Sequence, residues 1–89
     1  MDEQATLENQ QAIARQHAAD GALRVARQRG IVARIIARGH PAKEAIELLD
    51  HLLASQRHFQ NRCHQFERQL EALRLQQAIE RRRRPLIAK

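Results

Sequence analysis

Five histidines and one cysteine are the nitrogen and sulfur side chains of this sequence that metals prefer. Two ligands on one helix hold the same ion when they are three or four residues apart. No two of the six have that spacing, since His58 precedes Cys63 by five positions and His64 by six. The remaining candidate pair is His17 with Cys63, which would meet only across two antiparallel helices. We expect no metal and no other cofactor, and His17 and Cys63 are the ligands to check.

The same two residues are the nearest approach to a catalytic pair. Cys63 could serve as a nucleophilic thiol and His17 as its base, as in cysteine hydrolases. The chain has no glycine-rich turn that could form an oxyanion hole, and a helical sequence of this length is not expected to enclose a pocket. The sequence therefore predicts a protein that is not an enzyme.

Four consecutive arginines, Arg81 to Arg84, carry most of the net charge. The chain has 16 Lys and Arg against 10 Asp and Glu, a formal +6, and without these four the balance falls to 12 against 10, or +2. Such a run can neutralise phosphates without reading sequence. The chain lacks Trp and Tyr for stacking on bases, and it lacks a helix-turn-helix pattern. We interpret the run as a solvated helix end and keep nonspecific nucleic-acid binding as the alternative.

The composition predicts an all-α fold. The 89 residues are dominated by helix formers, with three Gly and two Pro, and the β-branched residues never alternate with polar ones over the length of a strand. One cysteine rules out an intramolecular disulfide framework. The start MDEQATLENQ is acidic and polar, and no apolar run reaches membrane-spanning length. We expect a single-domain cytoplasmic protein.

One strong break divides the helical sequence, at RGHPAKEA. Gly39 suits the left-handed residue after a helix C-terminus, and Pro41 suits the first turn of a new helix. The sequence therefore predicts a helix over about residues 5–38, a turn at 39–40, a second helix over about 41–83, and a basic tail over 81–89.

Within both helices, small and apolar residues recur at alternating steps of three and four, as in a coiled coil. We call these positions the seam, and Gln11, Gln28, Gln56 and Gln77 occupy some of them. The predicted core and interface residues of the seam are Leu7, Ala14, Ala18, Gly21, Val25, Val32, Ile35, Leu49, Leu52, Phe59, Cys63, Phe66, Leu70 and Leu73.

A tight turn makes the helices antiparallel, so facing residues should have numbers that sum to roughly 80. This register sets Gly21 opposite Phe59, a small residue against a large ring. The alternative is that Gly21 breaks the first helix in two. The same register offers Glu47 as an ion-pair partner of Arg34, and Asp50 as a partner of Arg29.

Several apolar residues lie beside the seam and widen it beyond what one facing helix can cover. They are Ile13, Ile31, Ile36, Leu48, Leu53, Leu75 and Ile79. A lone hairpin also has too little interior for independent stability. We therefore expect an antiparallel two-helix hairpin that pairs into a four-helix bundle homodimer or docks on another helical protein, which makes it a non-enzymatic protein–protein interaction or oligomerisation module.

Residues 17–62 contain a His, an ARQR run, a Gly-His turn and a Leu-Leu pair in that order. In this respect the stretch resembles small bacterial helical-hairpin proteins of uncharacterised function. The resemblance covers about half of the chain. It implies the hairpin fold and no activity.

Overall fold

The structure is a computed structural model that describes residues 2–84, and it consists of two long antiparallel helices. Helix α1 spans Glu3–Ala37 and helix α2 spans Lys43–Arg83. The described residues contain no strand. The predicted all-α hairpin is thus confirmed, and residues 85–89 of the predicted basic tail lie outside the described range.

Helix α1 begins two residues earlier than predicted because Asp2 caps it. The Asp2 carboxylate accepts a hydrogen bond from the backbone N–H of Gln4 at 3.3 Å, which satisfies one of the free donors of the first turn. From Glu3 the helix runs without interruption through Gly21 to Ala37. The alternative in which Gly21 breaks this helix is therefore wrong.

The C-terminus of α1 closes on Gly39, the residue predicted to do so. Gly39 has φ +75°, and its N–H donates to the carbonyl of Ile36 at 2.9 Å. The N–H of His40 donates to the carbonyl of Ile35 at 3.1 Å. These two bonds form a Schellman motif, which needs a left-handed residue at this position and therefore favours glycine.

Helix α2 begins at Lys43 and not at Pro41, where the sequence placed it. Ala42 precedes the helix with φ −112° and ψ 12°, outside the helical range, and it makes no side-chain cap. After the Schellman motif the chain uses His40, Pro41 and Ala42 to reverse direction. The connection between the helices therefore spans residues 38–42, whereas the sequence predicted a turn of two residues at 39–40.

The residues predicted for the seam lie between the two helices, and each of them is buried or half-buried in the structure. Leu70 is the most enclosed, at 1% exposure, and Ala14 and Val25 are the other buried apolar residues. The guanidinium carbon of Arg62 lies over the Phe66 ring, 5.8 Å from the ring centroid, which is within the range of a cation–π contact.

Gly21 and Phe59 face each other as the register predicts. A Cβ atom on Gly21 would lie 3.2 Å from Cδ2 of Phe59 and would also collide with Oε1 of Gln56. No larger residue fits at this point without displacing one of those side chains. The close approach therefore explains a glycine in the middle of a helix, where it otherwise costs about 1 kcal/mol relative to alanine.

Two buried glutamines tie each helix to the backbone of the other. Nε2 of Gln28 donates to the carbonyl of Ala45 at 2.9 Å, and Nε2 of Gln56 donates to the carbonyl of Ala18 at 2.8 Å. Buried polar groups of this kind fix register, because sliding the helices would leave their donors unpaired. Oε1 of Gln56 is buried with no hydrogen-bond partner among the described residues.

The ion pairs across the hairpin differ from those expected. Arg15 pairs with Glu67 at 4.0 Å, and Arg74 pairs with Glu8 at 3.5 Å. Within residues 2–84 the expected pairs of Arg29 with Asp50 and of Arg34 with Glu47 do not form, so those two predictions are wrong. Arg29 instead lines a groove beside Leu53, and Arg34, one position from the seam residue Ile35, lies about 100° around the helix from the seam.

Candidate interaction surface

The hairpin leaves large apolar side chains in the solvent. Within residues 2–84, seven of them are between 41% and 65% exposed, whereas three apolar residues are buried. The exposed residues are Ile13, Leu23, Ile36, Ile46, Leu48, Leu75 and Ile79. Of the residues predicted to lie beside the seam, Leu53 and Ile31 are half-buried and the others are exposed. Leu23 and Ile46 are exposed apolar residues that the sequence prediction did not include.

One side of the hairpin forms a shallow groove between the helices. On α1 it is lined by residues at seven-residue intervals, Arg15, Ala22 and Arg29, and on α2 by Leu53 and Glu67. The part of the groove between Val25 and Gln60 has a volume of about 550 Å³. We call this side the groove face.

The groove face changes in character along its length. Towards the termini it is charged, because the pairs of Arg15 with Glu67 and of Arg74 with Glu8 bridge it. Towards the turn it becomes apolar at Leu53, and the same heptad rows continue to Ile36 on α1 and to Ile46 on α2. Both isoleucines are exposed, so the apolar end of this face has no covering partner within the described chain.

A second heptad repeat lies on the outer surface of α1 and was not among the sequence predictions. We call it the alanine row, and its members are Ala5, Ala12, Ala19, Ala26 and Ala33. All five are exposed. From Ala12 onwards, each alanine of the row lies three positions before an α1 residue of the groove face, as Ala19 lies before Ala22. Residues three apart on a helix are neighbours, so the alanine row and the groove face adjoin each other on α1. The seven-residue spacing was visible in the sequence, but alanine on a helix also reads simply as a good helix former.

The candidate ligands His17 and Cys63 are not joined by a third ligand within residues 2–84. The His17 ring is tilted against Phe59, with the ring centroids 5.7 Å apart, and Cys63 is half-buried in the seam. No group of three His, Cys, Asp or Glu side chains with the geometry to hold a metal ion occurs within residues 2–84. His17 therefore packs its ring against that of Phe59.

The arginine run completes α2. Arg81, Arg82 and Arg83 form its last turn, Arg84 follows with an extended backbone, and all four are exposed. Cations are favourable at this position, since the carbonyl groups at a helix C-terminus carry partial negative charge. The run therefore stabilises the helix end while its guanidinium groups stay open to solvent.

The sequence matches no family model and no curated protein, and no solved structure matches the hairpin. Among the residues that the structure describes, neither helix combines the length and the apolar character that crossing a lipid bilayer requires.

Proposed function

We propose that the chain is a non-enzymatic oligomerisation and protein–protein interaction module. In this proposal the hairpin pairs with a second copy of itself to form a four-helix bundle in the cytoplasm, without a cofactor. Another helical protein that presents a comparable apolar face is the alternative occupant.

The observation that carries the proposal is the imbalance between buried and exposed apolar side chains. The seam buries Leu70 together with the smaller Val25 and Ala14, while residues as large as Leu23 and Leu75 are more than 60% exposed. Covering a leucine or isoleucine side chain contributes about 1.5 to 3 kcal/mol. A few such contacts are equal in free energy to the whole stability of a small domain, so association could supply much of the stability of this fold.

Self-association is tested by sedimentation equilibrium and by thermal unfolding over about a 100-fold range of protein concentration. For a folding-coupled dimer the midpoint of unfolding rises with concentration by mass action. Phe59→Ala removes the ring that packs against Gly21 and His17, and it is expected to weaken the dimer. The variant with Arg81 to Arg84 replaced by Gln is the control and should remain a dimer. A monomer with a concentration-independent midpoint would exclude self-association.

A second candidate function, nonspecific nucleic-acid binding, is favoured by one observation. Arg81 to Arg84 occupy the last turn of α2 and its C-cap, and all four are exposed. Glu80 is the acidic residue next to them in the chain. Four guanidinium groups that contact phosphates would make log K fall with log salt at a slope of up to about −3.6 on duplex DNA.

This candidate is tested by titrating a fluorescent DNA duplex between about 50 and 200 mM salt, a range that resolves counterion release. Binding should be lost in the variant with glutamine at positions 81 to 84. Equal affinity of the variant and the wild type would mean that the run does not bind phosphates.

A further inference from the structure

We propose that two hairpins pair through the groove face and the alanine row, with α1 packed antiparallel against the α1 of a second copy and a two-fold axis at Ala19. This inference rests on the proposed self-association and names the surface that performs it.

The alanine row has the position that a second helix contact requires. Each of its members from Ala12 onwards follows a seam residue by one position, as Ala19 follows Ala18, so the row lies about 100° around the helix from the seam. In a four-helix bundle each helix contacts two neighbours on faces at about a right angle. From Ala5 to Ala33 the row is about 42 Å long, and side chains of this size let helix axes approach to about 8 Å.

Large apolar side chains beside the row supply an independent reason for a partner. Ile36 is 57% exposed and Ile46 is 41% exposed, and both extend the groove face beyond Leu53 towards the turn. With the two-fold axis at Ala19, the first turn of the partner's α1 lies level with these side chains and would shield them in part from water. The other exposed apolar residues of α2, such as Leu75, are at the far end of that helix and are not needed for this contact.

Charge selects both the occupant and the register. Antiparallel pairing at Ala19 sets Glu8 beside the partner's Arg29 and, by symmetry, Arg29 beside the partner's Glu8. It also sets Arg15 beside the partner's Ala22. Sliding the partner helix by seven residues in one direction would bring Arg15 beside the partner's Arg15. Sliding it by seven residues in the other direction would bring Arg15 beside the partner's Arg29. The register that uses all five alanines is thus also the one that opposes unlike charges.

The contact is tested by disulfide trapping in full-length protein that carries Cys63→Ala. Ala19→Cys places one thiol at the two-fold axis, so mild oxidation with a copper–phenanthroline catalyst should convert the hairpin almost completely into a covalent dimer. Ala54→Cys is the matched control, since Ala54 is an exposed alanine of α2 that belongs to neither the alanine row nor the groove face. Trapping of the control but not of Ala19→Cys would overturn the proposal.

A second pair of variants tests the contact without cysteine. Ala26 is exposed in the single hairpin, so Ala26→Glu should leave the helical content unchanged while raising the dimer dissociation constant at least tenfold, because a carboxylate would be buried at the contact. Ala54→Glu should leave the constant unchanged. A wild type that dimerises, together with an Ala26→Glu variant that dimerises equally tightly, would overturn this surface and leave the proposed function standing. A wild type that stays monomeric would overturn both.

Discussion

The two ends of the hairpin are held together by different means. In the half next to the turn, which runs from Ala18 to Phe59, buried glutamines bond to the backbone of the opposite helix, and exposed isoleucines flank the groove. In the half next to the termini, Leu70 is fully enclosed and two exposed ion pairs bridge the groove. The turn half adds two buried hydrogen bonds to the burial of Val25, whereas the terminal half combines the burial of Leu70 and Ala14 with exposed ion pairs.

This difference shows where an additional partner is needed. The terminal half has its groove face occupied by its own ion pairs, whereas the turn half leaves Ile36 and Ile46 uncovered on the same face. A small protein that lacks a large interior is expected to leave apolar surface at its binding site. Covering the apolar side chains of the turn half is therefore where a partner contributes most. In the pairing centred on Ala19, the segment of the second copy that reaches this turn half is its terminal half.

The largest effect is expected from removing Leu70, the large side chain that is fully enclosed among residues 2–84. Leu70→Ala should lower the free energy of unfolding by about 2 to 5 kcal/mol, because the seam cannot collapse around the lost volume. Leu75→Ala is the control on the same helix, since Leu75 is 62% exposed and the hairpin itself does not cover it. Urea unfolding at one protein concentration measures both. Equal losses would mean that Leu75 is covered by a partner to the same extent as Leu70 is covered by α1.

Two glycines of α1 sharpen the contrast between packed and open positions in the turn half. Gly30→Ala should raise the free energy of unfolding by about 1 kcal/mol, since nothing lies within 4 Å of the added methyl group and alanine is the better helix former. Gly21→Ala should lower it by on the order of 1 kcal/mol, because the methyl group displaces Gln56 from its bond to Ala18 and presses on Phe59. Thermal unfolding monitored by circular dichroism gives the two shifts. Stabilisation by both changes would show that Gln56 moves aside without cost.

Much of this architecture could be predicted from the sequence, since a hairpin depends on local signals. The seam follows from periodicity, and the turn follows from Gly39, because the left-handed position after a helix is usually occupied by glycine. The pairing of Gly21 with Phe59 follows once the turn fixes the register. Each of these features is set by residues close together in the chain or by one shared repeat.

The features that could not be predicted depend on side-chain direction. Gln28 and Gln56 are recognisable as seam residues, yet which carbonyl each would reach depends on rotamers that no pattern specifies. Arg34 has Glu47 close in register but lies on the outer surface, so register alone gave a false ion pair. The groove face is lined by residues of both helices, so it could be recognised only once the packing of α1 against α2 was known.

The smallest effect is expected from the ion pairs of the terminal half. Arg74→Gln removes the pair with Glu8, whose side chains are 58% and 48% exposed, so the free energy of unfolding should fall by less than about 0.5 kcal/mol. Arg68→Gln is the matched control, as an exposed arginine of α2 outside the ion pairs of the described chain. The difference between the two variants in urea unfolding, at about 20 mM and again at 500 mM salt, isolates the pair from the change in net charge. A difference above 1 kcal/mol that survives the higher salt would show that the ion pairs, and not burial around Leu70, hold the terminal half together.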